Sequence, residues 1–177
     1  MLESREVTKN YGSKMAVSGV SLKLEPGLVY AMLGPNGSGM TSWMKMAAGL
    51  VNPSMGAMVY QGTPVGKESK KEDFSMERYQ QMLDRMELTE DMKARKLSSG
   101  MMAKLKIAVT MARSAKIYLL DEPLNGIDLL ARDQIMTSIL EAVDKDVTLV
   151  VSSHLGDELE RVVDAAIFMK EGQLVEQ

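Results

Sequence analysis

The stretch Gly34-Pro35-Asn36-Gly37-Ser38-Gly39-Met40-Thr41, GPNGSGMT, stands between an apolar run, LVYAML (28–33), and a helical pattern, TSWMKMAAGL (41–50). Strand, loop and helix in that order are the setting of the pattern G-x-x-x-x-G-K-[ST], whose glycines let a loop curl backbone N–H groups around phosphate oxygens. Every position fits except the seventh, where Met40 replaces the lysine that reaches the outer phosphates. Lys45 is no substitute, because five residues along a helix turn its side chain away from the loop mouth. The stretch therefore reads as a phosphate nest without its fixed cation.

Around this loop the pattern alternates. Strand-like runs fall at 2–8, 20–25, 28–33, 56–61, 116–121, 147–153 and 165–170, and helical patterns at 41–50, 74–87, 99–114, 129–144 and 154–163. Continuous apolar strands such as IYLL and TLVV, separated by helices, predict an α/β fold with a mainly parallel sheet covered on both faces. With 177 residues, 45% of them hydrophobic, the chain suffices for one well-buried domain and is short for two.

Charge and cysteine content narrow the partners. A net charge of -3 without a sustained basic block gives no case for nucleic acid, and KESKKED (67–73) reads as a solvated loop. There is no cysteine for a disulfide framework, and no apolar run approaches the ~20 residues of a membrane span. MLESREVTKNYG has no signal-peptide core. These features predict a soluble cytosolic chain.

A second motif, IYLLDEP (117–123), puts Asp121 and Glu122 at the carboxyl end of a buried strand, where open α/β sheets bind ligands. One acid there can organise a magnesium ion and its neighbour can polarise a water. GPNGSG-x-T, LSSGM (97–101), IYLLDEP, LNGID (124–128) and SSH (152–154) follow in an order and approximate spacing that resemble the ATPase domains of ABC transporters. This resemblance covers nearly the whole chain. It implies a phosphate-loop NTPase fold of the ABC ATPase type, with an N-terminal antiparallel β portion and a reduced helical subdomain, in one domain over 1–177 with its helical, signature-bearing portion at about 73–113.

The resemblance also implies roles, residue by residue. Tyr11 matches the aromatic that stacks on adenine; Gly34, Asn36, Gly37, Ser38, Gly39 and Thr41 match the phosphate loop, with Met40 at the lysine position and the Thr41 hydroxyl on Mg2+. Asp121 matches the magnesium-organising acid, Glu122 the general base and His154 the residue that senses the γ-phosphate. Asp128 matches the acid that communicates across a dimer, and Ser98 and Gly100 the signature residues that serve the nucleotide of a second subunit. The implied ligands are ATP and Mg2+. The implied partners are a second ATPase subunit, in a head-to-tail dimer, and transmembrane permease subunits that hold the chain at the inner face of the cell membrane.

Departures from the pattern carry expectations of their own. Ser99 replaces a signature glycine and Met101 its glutamine, while Met40, unlike the other methionines among 17, has no evident packing role and reads as a mark of an engineered or inactivated sequence. The interval between Thr41 and Leu97 is short for the family's glutamine-bearing loop, neither Gln61 nor Gln81 earns that assignment, and the seam is placed around KKEDF (70–74). A non-hydrolysing nucleotide-binding scaffold is thus the alternative to a transport ATPase. A soluble ABC protein of DNA repair or translation is disfavoured by the absence of a coiled-coil insertion, a second cassette or a basic face.

Overall fold

The computed structural model describes residues 1–66, 73–156 and 159–176. Two sheets form its frame. The first is antiparallel and built from β1 (Leu2–Tyr11), β2 (Lys14–Leu24), β4 (Met55–Tyr60) and β5 (Thr63–Pro64) in the order β2-β1-β4-β5. The second takes the order β6-β7-β3-β8-β9, from β3 (Val29–Leu33), β6 (Ile117–Leu120), β7 (Thr148–Ser153), β8 (Ala165–Lys170) and β9 (Gln173–Glu176). Its pairs β6·β7, β7·β3 and β3·β8 are parallel, and only β8·β9 is antiparallel.

Parallel strands need covered faces, and the apolar residues divide accordingly. One core gathers Ala31, Tyr118, Leu120, Leu149 and Val151 of the parallel sheet with α2 (Met76–Arg85), α3 (Ser99–Met111) and α4 (Leu129–Ala142). The other packs Tyr30, Met32, Val150 and Ile167 against α1 (Met40–Ala47) and the inward residues of β1 and β2. Ser75, Ser98 and Asp128 cap α2, α3 and α4 with side-chain oxygens that accept from Arg78, Met101 and Leu130 N–H groups, a common way of satisfying a helix's first donors.

The α/β class, the parallel sheet and the antiparallel N-terminal portion agree with the expectation, and the first four helical patterns are helices. The fifth, 154–163, is not: among its described residues Leu159 and Val162 donate to Gly156 and Leu159 in turns, and no α-helix is assigned. Residues 157–158 of that segment, and most of the KESKKED loop and the KKEDF seam, lie outside the described residues. β5 and β9, two short strands, were not anticipated; β9 pairs with β8 across a turn in which Glu171 and Gly172 both have positive φ.

Candidate functional site

Residues 34–41 leave the carboxyl end of β3 and enter α1. Gly37 and Gly39 have φ of 84° and 104°, a region glycine visits at little cost and other residues avoid. At Gly39 the space is closed as well, since a Cβ there would lie 2.4 Å from the Ala16 carbonyl oxygen and 3.2 Å from Gly172 Cα. The Gly172 N–H donates to Ser38 O at 2.9 Å and the Gly172 carbonyl accepts from Ser18 N–H at 2.8 Å, so the β8–β9 turn clamps the loop against β2.

The clamped loop holds unspent donors. Among the described residues the N–H groups of Gly37, Gly39, Met40 and Thr41 meet no acceptor, and the Ser38 hydroxyl is buried without a partner. Such a nest is satisfied by an anion, and the N-terminus of α1 adds its dipole. Thr41 is exposed at the mouth, and Lys45 lies on the solvent face of α1. The residues present fit a phosphate group.

Met40 corrects an expectation. It is only 6% exposed and belongs to the same core cluster as Val17, Trp43 and Met169, so it has a packing role that its motif position did not disclose. An unbranched thioether can be buried where an ammonium would have to stay in water, and the premise for reading Met40 as a deliberate inactivation fails. Trp43 is likewise fully buried, its Nε1 donating to Ser4 Oγ at 3.2 Å.

The acids sit two strands away, just past the end of β6. The Ser152 hydroxyl donates to Asp121 Oδ1 at 2.7 Å and accepts from Glu122 N–H at 2.8 Å, so one buried group of β7 holds both acidic residues of the neighbouring strand. Glu122 has φ 47°, a left-handed value that a non-glycine residue keeps only where its surroundings impose it. Its carboxylate faces His154 Nδ1 at 3.0 and 3.1 Å. Beside this pair a space of about 70 Å³, bounded in part by Arg132, Ser152 and Leu159, has room for at least one water. Because β6, β7 and β3 are adjacent and parallel, the acids, His154 and residues 34–41 all emerge on the same edge of the sheet, with β6 and β3 roughly 10 Å apart.

The remaining candidates stand apart from this group. Tyr11 ends β1, is exposed, and has the Lys9 ammonium 5.2 Å from its ring centre; it shares the β1–β2 hairpin whose Ala16 braces Gly39. Asp128 caps α4 and Ser98 caps α3, while a Cβ on Gly100 would come 3.0 Å from the Gly126 carbonyl. Asn36 is exposed at the loop's tip. Gln81 lies in α2 against Glu77 and Gln61 in the β4–β5 turn, so neither joins the acids. Among the described residues no three His, Cys, Asp or Glu cluster; a cation here would be shared by the Thr41 hydroxyl, Asp121 and the phosphates themselves. Ser152 and Gly172 escaped the sequence reading, although Ser152 sits inside the SSH motif that drew attention only to its histidine.

This edge, with a phosphate nest on one strand and an acid pair on its second neighbour, defines a nucleotide-phosphate site in an α/β sheet. The family profile described as ABC transporter matches residues 17–78 and 68–125, and the chain belongs to that family, whose members are ATP hydrolases. It is 25% identical over 204 positions to the lantibiotic transport ATP-binding protein SrtF of Streptococcus pyogenes, covering 99% of this chain and 89% of that one. It is 29% identical over 212 positions to the uncharacterized ABC transporter ATP-binding protein YcbN of Bacillus subtilis, covering 100% and 69%. Among solved structures, a dimeric ATP-binding cassette in a post-hydrolysis state with ADP and Pi superposes with a TM-score of 0.85 at 20% identity, covering 99% of this chain and 97% of that one. CbiO1 of Clostridium perfringens, part of the ABC transporter complex cbiONQ, gives 0.79 at 22% identity, covering 99% and 87%.

Proposed function

We propose that this chain, as a single domain over residues 1–177, binds ATP on residues 34–41 and is the ATPase subunit of a transporter that works through separate transmembrane permease subunits, paired head to tail with a second ATPase subunit, its own turnover held low by Met40. The observation that carries this reading is the emergence of the phosphate nest, the acid pair and His154 on one edge of three adjacent parallel strands. In it, the N–H groups of Gly37, Gly39, Met40 and Thr41 bind the phosphates, Tyr11 lies against the base, and Glu122 accepts a proton from the attacking water. His154, held against Glu122, faces the γ-phosphate. Mg2+, held by Thr41 and Asp121, would neutralise phosphate charge. Ser98, Gly100 and Asp128 serve the paired subunit. Among the described residues no helix is long and apolar enough to cross a membrane, so attachment at the inner face of the membrane would come through the permease.

Met40 sets the limit on turnover. A charge-assisted contact contributes roughly 1.5–3 kcal/mol, so its absence lowers ATP affinity by about 10- to 100-fold while the backbone donors retain a grip. The scaffold reading draws on this residue and on the shortened middle, whereas the acid pair and His154 support an ATPase. The pairing is tested by light scattering on Met40→Lys/Glu122→Gln, which should bind MgATP without cleaving it. The expected result is a doubling of mass with MgATP and none without it; a monomer at saturating nucleotide would refute the head-to-tail pair.

A further inference from the structure

β6 is the outermost strand of the parallel sheet. It pairs with β7 on one side and, among the described residues, with nothing on the other. The Lys116 carbonyl accepts from Thr148 N–H, so in a parallel ladder the even-numbered residues of β6 bond to β7 and the N–H and C=O groups of Ile117 and Leu119 face outward. Edges of this kind are templates for pairing and are ordinarily blunted by proline, charge or a bulge. Ile117–Leu120, IYLL, has none of these.

This edge lies along a trough. Towards the start of β6 a space of about 350 Å³ is bounded by Leu2, Ala47, Arg113 and Ile117. Towards its end a space of about 560 Å³ is bounded by Met102, Lys106, Ile107 and Leu120 and reaches Glu122. Both touch Thr110 and Leu119, which makes them one groove with α3 as one wall and the end of α1 with β1 as the other.

We propose that this groove receives an extended aliphatic strand, supplied by a second polypeptide, which adds to the sheet beside β6. The open ladder calls for a strand, and the comparison with relatives supports a polypeptide segment as its source. An alignment of 204 positions cannot be filled by 177 residues, so at least 27 of them (204 less 177) are supplied by the streptococcal relative alone. The family match breaks into two segments whose junction falls at 68–78. Where the described chain resumes, it runs beside the start of β6: Ser114 N–H donates to Asp73 O and Ser75 N–H to Ala112 O, both at 2.9 Å, and Phe74 bridges Arg113. The residues missing relative to the family would therefore depart from next to the open edge.

The chain offers no substitute of its own at this point, since residues 67–72 read KESKKE and contain no aliphatic side chain. A second folded copy presents the same recessed edge, and two recessed edges cannot meet between walls of helix. A single extended segment enters such a groove, bonds to Ile117 and Leu119, and places alternate side chains against Ile107 on one face and Leu2 on the other. Both faces being apolar, the segment should be a continuous aliphatic run of about four to six residues. The inference needs no ATP turnover.

The test uses the whole chain and short overlapping peptides tiling the stretch of the Streptococcus pyogenes relative that aligns with no residue between 66 and 74 here. Amide hydrogen exchange at Ile117 and Leu119 and fluorescence anisotropy of labelled peptide are read together. The expected result is saturable binding of one peptide, at least roughly tenfold slower exchange at both amides, and loss of both effects when that peptide is N-methylated at alternate residues. Absence of binding by every peptide, or equal binding by the N-methylated form, would overturn the proposal. So would exchange at Leu119 that slows with rising protein concentration in the absence of peptide, which would make a second copy the occupant.

Discussion

The carboxyl edge of the parallel sheet and its lateral edge at β6 are contrasting surfaces, one closed and one open. At the carboxyl edge one residue of the phosphate pattern is changed, and the change is absorbed: Met40 is drawn into the core beside Trp43 while Ser152 keeps both acids in place. At the lateral edge nothing among the described residues pairs with the outward backbone groups of Ile117 and Leu119, although their side chains pack against the core. A missing side chain can be replaced by packing, because apolar contacts are non-directional. An open strand edge cannot be satisfied that way, because backbone donors and acceptors need partners in fixed directions.

The sharpest test of the first half is Gly39→Ala. A Cβ would meet Ala16 O at 2.4 Å in a residue at φ 104°, so the substitution should cost roughly 2–5 kcal/mol in urea unfolding and abolish nucleotide binding. Gly37→Ala, at φ 84° with nothing within 4 Å of the new Cβ, should cost only about 1 kcal/mol. Equal losses would mean that Ala16 and Gly172 do not wedge the loop. Ser152→Ala comes next. It leaves Asp121 without its donor and Glu122 N–H without its acceptor, and should lower stability by about 1–3 kcal/mol; an unchanged unfolding midpoint would show that β7 does not hold the acids.

The smallest effect is expected at the base of the open edge, where Lys116 joins Asp146. Its hydrogen bond and charge hold the Asp146 carboxyl below its ordinary value, and the same carboxylate raises the Lys116 ammonium. Because the folded-state value of Asp146 is depressed, the contribution of the pair is complete above about pH 4 and fades as pH falls through the carboxylate range. Both groups are in solvent, so Asp146→Asn should leave unfolding midpoints almost unchanged at neutral pH and indistinguishable at lower pH. A large loss at neutral pH would mean that the β6 edge depends on this pair and is less self-sufficient than its packing against β7 indicates.

Much of the carboxyl edge was legible because local rules suffice there. Glycines at 34, 37 and 39 after an apolar run fix a loop, and DEP after IYLL fixes the end of a strand. The rest depended on residues far apart in the chain. Ser152 meets Asp121 across 31 positions and Gly172 meets Ser38 across more than a hundred, and no periodicity reports such contacts. Met40 was misread because a motif position assigns a residue to the ligand, whereas burial was decided by the space between β2, β8 and α1. The helical pattern at 154–163 failed for a related reason: charged residues at helical spacing permit a helix, but tertiary context decides. The open edge of β6 could be seen only once strand order was known.

The measurement that bears most directly on the whole account is a calorimetric MgATP titration with phosphate release followed on the same samples, for the chain as it stands, Met40→Lys, and each with Glu122→Gln. The account predicts weak binding and near-background hydrolysis with Met40, affinity higher by about 10- to 100-fold with lysine, and basal hydrolysis in the lysine variant that Glu122→Gln removes. Brisk hydrolysis by the Met40 chain, abolished by Glu122→Gln, would contradict it.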